Sequence, residues 1–190
     1  RSTTVTGVQT CALPIFAGKA LSERNGGAGL FAARRVVLVG LLTALALALS
    51  FAEGVLPLPG FLPGAKIGLA NLVTLLALYL LPSWHDAALV LFLRVTLGSF
   101  FAGGGAFWYS AAGAAVSFPL MCALRRLGLP LLVVSAAGGV AHNAAQLAAA
   151  MLVLRTAALV AYAPLLVAAG LLAGLAVGLL AAGVVSRLKR

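Results

Sequence analysis

The scarcity of charge along most of this chain limits what it can fold into. Between Val36 and Ser186 the sequence holds seven charged residues, spread among long apolar runs: Glu53, Lys66, Asp86, Arg94, Arg125, Arg126 and Arg155. A soluble domain carries about 25% charged residues, against 8% in this chain of 190 residues. So few charges cannot cover the surface of a water-soluble fold. The sequence therefore predicts an all-α, polytopic membrane protein.

Proline and glycine clusters divide the apolar sequence into six segments. They cover approximately residues 35–56, 66–82, 86–102, 107–124, 131–154 and 164–186. Each approaches the roughly 20 residues that a membrane-spanning helix needs. We expect one bundle of six transmembrane helices within residues 35–190. Residues 1–15 resemble the peptide encoded by sequencing-adapter DNA and are expected to be a non-native leader, and residues 16–34 a flexible cytoplasmic lead-in.

The distribution of basic residues predicts the orientation of the bundle. Six spans place both termini on one side of the membrane, and seven Lys and Arg residues fall on that side: Arg34, Arg35, Arg125, Arg126, Arg187, Lys189 and Arg190. The opposite side holds Lys66 and Arg155. Because basic loops stay in the cytoplasm, both termini are expected there, in the cytoplasmic membrane of a prokaryote.

The formal charge of +10 does not point to nucleic acid. The basic residues lie mainly in pairs at segment ends and form no face interleaved with aromatic residues. Cys11 and Cys122 have no CxxC spacing, so neither a disulfide nor a metal site is indicated. The sequence has no GxxxxGK[ST] phosphate loop. We expect no cofactor.

Polar residues at the start of the second segment suggest a ligand site. In PGAKIGLAN, Lys66 directly follows a Pro-Gly turn and Asn71 lies further along the same helix. A helix N-terminus already carries a positive potential, so a lysine there favours a bound anion. The alternative is that Lys66 extends its side chain to the outer lipid headgroups.

Arg94 is the strongest indication of a site. It lies near the middle of the third segment, where an arginine costs about 2.5–3.5 kcal/mol on insertion scales. Glu53, near the outer end of the first segment, is the carboxylate within plausible reach. Arg94 is therefore expected to form a structural ion pair with Glu53, to bind a ligand carboxylate or phosphate, or both.

The fifth segment contains GGVAHNAAQ, which places His142 and Gln146 on one helical face with Asn143 beside them. Hydrogen-bonding side chains in a membrane span are functional candidates, although a core role is the alternative. Tyr109 is a weaker candidate at the outer start of the fourth segment. These residues share one depth with those above, so we predict an outward-facing polar cavity with a positive bias.

Small residues form a stripe on the first segment, where Ala44 and Ala48 recur at a spacing of four. Such stripes allow another helix to approach closely. The partner is either another helix of the same bundle or a second protein.

Three stretches carry a family resemblance. PGAKIGLANLVTLLALYLL, LRVTLGSFFAGG with its following FWYSAAGAAVSF, and GGVAHNAAQLAAA resemble, in this order, the family known both as Gx transporter and as heptaprenyl diphosphate synthase component I. That family is similar to the substrate-binding S components of energy-coupling-factor (ECF) transporters. These are six-helix membrane proteins with both termini cytoplasmic.

The resemblance implies a membrane protein that captures a small, vitamin- or cofactor-like molecule for uptake and is not itself an enzyme. It further implies a transmembrane coupling subunit, which would contact Ala44 and Ala48, and two cytoplasmic ATPases as partners. The other family name implies a non-catalytic membrane component of a prenyl synthase. One aspartate and two glutamates, far apart in sequence, cannot build the aspartate clusters with which such synthases hold Mg²⁺ and diphosphate.

Overall fold

The structure is a computed structural model and describes the backbone of residues 14–55, 69–102 and 104–188. These residues form six α-helices and a short 3-10 helix, with no strand among them. In chain order they are α1 (Pro14–Val55), α2 (Leu69–Leu80), α3 (Trp84–Ala102), α4 (Gly104–Arg126), α5 (Leu131–Leu154), the 3-10 helix (Ala157–Tyr162) and α6 (Ala163–Leu188). The predicted all-α class is confirmed.

Four described stretches are long and apolar enough to cross a membrane: Ala33–Glu53, Phe107–Arg126, Leu131–Leu154 and Ala157–Arg187. The described part of α2 is apolar but has 12 residues, and the 19 residues of α3 include Asp86 and Arg94. The chain is thus a helical membrane protein, as predicted. The crossing of the membrane by α2 and α3 and the orientation of the termini stay predictions.

The N-terminal part of the chain is helical where its composition predicts a flexible segment. The helix α1 begins at Pro14 and includes residues 16–34, for which glycines and polar residues predict a flexible lead-in. The chain divides into two compact units, Arg1–Leu38 and Val39–Arg190. The described part of the first unit is helical. Residues 1–13 of the predicted leader lie outside the described residues, and the predicted domain boundaries stay predictions.

Residues with a positive φ follow the C-terminal ends of α4 and α5. After α4, Gly128 takes a positive φ of 76°, a conformation that glycine adopts without steric cost. Pro130 then precedes the first turn of α5. At the other end of α5, Arg155 has a φ of 50° and its N–H bonds to the carbonyl of Met151, as in a left-handed C-cap.

The centre of the second unit is α2. Residues 73–78 are consecutively buried, and a helix buried on all sides lies inside a bundle rather than at its surface. One face of α1 is buried in the core of the second unit. Thr43 and Ala46 are buried, whereas Ala44 and Ala48 on the other side of the helix are exposed.

Glycines bring α5 and α6 into backbone contact. Ser135 Oγ donates to the carbonyl of Gly174 at 2.6 Å, and Asn143 Nδ2 donates to the carbonyl of Leu166 at 3.0 Å. Between these bonds, a Cβ added to Gly170 would lie 2.7 Å from the carbonyl oxygen of Gly139. The contacts recur every four residues along both helices, so small residues at this spacing set the antiparallel register.

Replacing Gly170 by alanine is expected to destabilise the protein by about 1–3 kcal/mol, because the new methyl group forces the two helices apart. Gly183→Ala is the matched control on the same helix, since its added Cβ meets no described heavy atom within 4 Å. Thermal unfolding in detergent measures both. Equal melting temperatures for the two variants would show that α5 and α6 do not pack at this distance.

Candidate functional site

Arg94 joins α3 to α2 in the interior of the bundle. Its Nη1 donates to Asn71 Oδ1 at 2.9 Å and to Thr74 Oγ1 at 3.3 Å. Asn71 and Thr74 are three residues apart and so lie on one face of α2. The one guanidinium nitrogen therefore bridges two acceptors on a neighbouring helix, and these bonds hold the planar group in a defined position.

Glu53 provides the opposing charge. It is buried, with 9% of its surface exposed, and its carboxylate interacts electrostatically with Arg94. The charges thus partly compensate each other in a medium where an uncompensated charge is costly. An ion pair between these two residues stays a prediction.

His142 lies flat against the backbone of α4. A Cβ added to Gly113 would lie 2.6 Å from Cε1 and 2.7 Å from Nδ1 of the imidazole, so the absence of a side chain at Gly113 creates the space for the ring. Nδ1 of the ring lies 3.4 Å from Ser117 Oγ. Arg94 interacts with the ring electrostatically.

A small polar cavity lies between these helices. Its volume is about 40 Å³, enough for a few water molecules and far below the roughly 300–1,000 Å³ of pockets for drug-sized ligands. Its polar side chains come from α2, α4 and α5, and α6 contributes glycine backbone. These side chains are Asn71, Thr74, Ser117, Ser135, His142 and Asn143.

The predicted site residues divide into three groups. Asn71, His142 and Asn143 line the cavity, and Arg94 adjoins it through its hydrogen bonds to Asn71 and Thr74. Glu53 interacts electrostatically with Arg94. The described residues that line the cavity do not include Gln146 or Tyr109, which are half-buried elsewhere on α5 and α4. Lys66 lies outside the described residues. Binding by each of these residues stays a prediction.

Three hydroxyl residues of the cavity were missed by sequence reasoning. Thr74, Ser117 and Ser135 are common in apolar helices and carry no signal individually. Helical spacing links them to the recognised residues, because Thr74 lies one turn after Asn71 and Ser135 lies two turns before Asn143. That pattern could have identified two of them. Ser117 required knowledge of which face of α4 meets His142.

A metal centre has little support within the described ranges, where no three His, Cys, Asp or Glu side chains come together. The cavity instead presents hydroxyl, amide and imidazole groups, which exchange hydrogen bonds with small polar molecules.

We expect energetic coupling between Asn71 and Arg94. Removing the amide leaves a buried guanidinium without its shorter bond, and bonds to charged groups contribute about 1.5–3 kcal/mol. The double-mutant cycle of Asn71→Ala, Arg94→Met and both together, followed by chemical or thermal unfolding, should give a coupling of about 0.5–3 kcal/mol. Additive effects of the two substitutions would contradict the bridge.

Comparison with known sequences agrees with this assignment of the membrane region. A sequence model described as Heptaprenyl diphosphate synthase component I matches residues 42–184, which is more than half of the chain and includes every residue named in the cavity. No curated protein and no solved structure matches the chain. The family suspected from the three sequence stretches is confirmed: the chain belongs to the heptaprenyl diphosphate synthase component I family.

Proposed function

We propose that this protein is the substrate-binding membrane subunit, or S component, of an ECF-type uptake transporter. The observation that carries the proposal is the convergence of polar side chains from three helices on one cavity, beside a half-buried arginine, in an otherwise apolar chain. Polar groups inside a membrane bundle are costly and typically mark a substrate or ion pathway. A protein that served as an anchor would have no need of this cavity.

The bound molecule is expected to be small and anionic, vitamin- or cofactor-like. Arg94 offers a planar guanidinium that suits carboxylate and phosphate groups. Lys66 is proposed to meet the ligand from the start of the second span. The cavity volume of about 40 Å³ accepts a small group such as a carboxylate, so the rest of the ligand would lie outside this space.

The exposed face of α1 supports the proposed docking of a coupling subunit. Ala44 and Ala48 are exposed there, and a Cβ added to Gly40 on the same face would meet no described atom within 4 Å. Small residues that the described part of the chain leaves uncovered allow a second protein's helix to approach closely. Two cytoplasmic ATPases would then supply the energy of transport.

Substituting Ala48 by tryptophan is expected to prevent co-purification with the coupling subunit and ATPases encoded in the same genome, because the indole keeps the partner helix away. Ala123→Trp, at an exposed position of α4, is the control. Retention of the partners by Ala48→Trp would place the interface elsewhere.

A non-catalytic role in a heptaprenyl diphosphate synthase is the second candidate. The family description favours it. With three acidic residues in the whole sequence, the chain would act as a membrane partner and not as the catalyst. Co-purification of a prenyl synthase subunit with folded protein that binds no transport ligand would favour this role.

A ligand-stabilisation screen tests the transport proposal. Purified protein would be melted in the presence of anionic vitamins, flavins and isoprenoid diphosphates. A ligand at 100 times its Kd should stabilise by about 2.7 kcal/mol. We expect Arg94→Ala, Lys66→Ala and Ser117→Ala to lose this shift, and Ser186→Ala, an exposed hydroxyl outside the cavity, to keep it. Folded protein that shows no shift with any compound would refute the capture role.

A further inference from the structure

Beside the polar cavity lies a second, apolar one. It forms a groove of about 290 Å³ between α3 and α4, where these helices pack together less extensively than α5 packs against its neighbours. Its lining is almost wholly hydrocarbon and aromatic, including Phe92, Phe107, Ala115 and Phe118. Phe92 is 64% exposed, so the groove opens to the side of the bundle, which in a membrane faces lipid chains.

The two cavities share one wall. Leu91 on α3 lines both of them and is 9% exposed. On α4 the lining alternates by face, since Ala114 and Phe118 line the groove while Ser117 and Met121 line the polar cavity. The Leu91 side chain and the adjacent surface of α4 thus separate the polar cavity from the apolar groove. A leucine rotamer change is a small motion compared with a helix displacement.

We propose that the ligand of this site is an amphiphile, with a small oxygen head group in the polar cavity and a single hydrocarbon chain in the α3–α4 groove. This inference rests on the proposed capture function and names its substrate class. The volumes of the cavity and the groove set the sizes of the head group and of the hydrocarbon chain. About 40 Å³ accepts a hydroxyl or carboxylate, and about 290 Å³ beside it accepts a chain of several carbons.

The side chains that line the two spaces favour the head group in the polar cavity and the hydrocarbon chain in the groove. The inner cavity offers Ser117 and Ser135 hydroxyls and the Asn71 amide to an oxygen head group. Thr96 is the one side chain with a hydrogen-bonding group among the described residues of the groove lining. A wholly polar ligand would gain nothing from the groove, and a membrane lipid would have to place a much larger headgroup in the cavity.

The test compares chain lengths at constant head group in protein reconstituted in lipid nanodiscs. The probes are prenol and farnesol, their corresponding carboxylic acids, and farnesyl diphosphate. For the wild type we expect the fifteen-carbon alcohol or acid to bind about tenfold or more tightly than its five-carbon counterpart, because each buried methylene adds to the affinity. The diphosphate should bind more weakly than the better of these two, since its head exceeds the cavity.

Two substitutions on α4 separate groove binding from partition into the lipid. Ala115→Phe fills part of the groove and should abolish the gain in affinity with chain length. Ala123→Phe, exposed and outside the groove, should retain the gain in the same nanodiscs, where partition is identical. Ser117→Ala should weaken the binding of every compound.

Each other result would overturn the proposal. A chain-length gain that survives Ala115→Phe would reflect partition or ordinary lipid contact. Tighter binding of the diphosphate would contradict the assigned head group. If the short compounds or the anionic vitamins bind and length adds nothing, the amphiphile proposal fails and the capture function stands. If no compound of either panel binds to folded protein, both fail.

Discussion

The polar centre of this protein depends on the Arg94 guanidinium. A cation in an apolar bundle must be compensated. The α2 helix supplies an amide and a hydroxyl that accept hydrogen bonds from Arg94, and the Glu53 carboxylate interacts with it electrostatically. The two hydrogen bonds link α2 and α3 at one point. Asn71 and Thr74, which accept these bonds, also line the cavity, so the charge and the cavity share two side chains.

On the other side of the cavity, glycines hold the helices close together. Along α5 and α6 they bring the two backbones into contact, and at Gly113 the missing side chain accommodates the His142 ring. The polar side chains Ser135 and Asn143 use α6 carbonyls as acceptors, which orients them while they line the cavity. Close packing without side chains thus serves both to join the helices and to position hydrogen-bonding groups.

A polar cavity next to an apolar groove gives the bundle two chemically different spaces with one shared side chain between them. The membrane environment makes this arrangement meaningful, because hydrocarbon reaches the groove from the side while the cavity interior is isolated from it. The family match covers the helices that form both spaces.

The sequence by itself determined the helical membrane class, the family and most of the polar centre. Sparse charge excludes a soluble surface, and Arg94 or the His142–Asn143 pair is noticeable because polar groups in lipid are costly. The tertiary structure decided which faces meet. It separated Gln146 and Tyr109 from the cavity and added three hydroxyls whose residue types are ordinary in helices. It also placed the groove beside the cavity, because such spaces depend on how helices diverge and not on any local pattern.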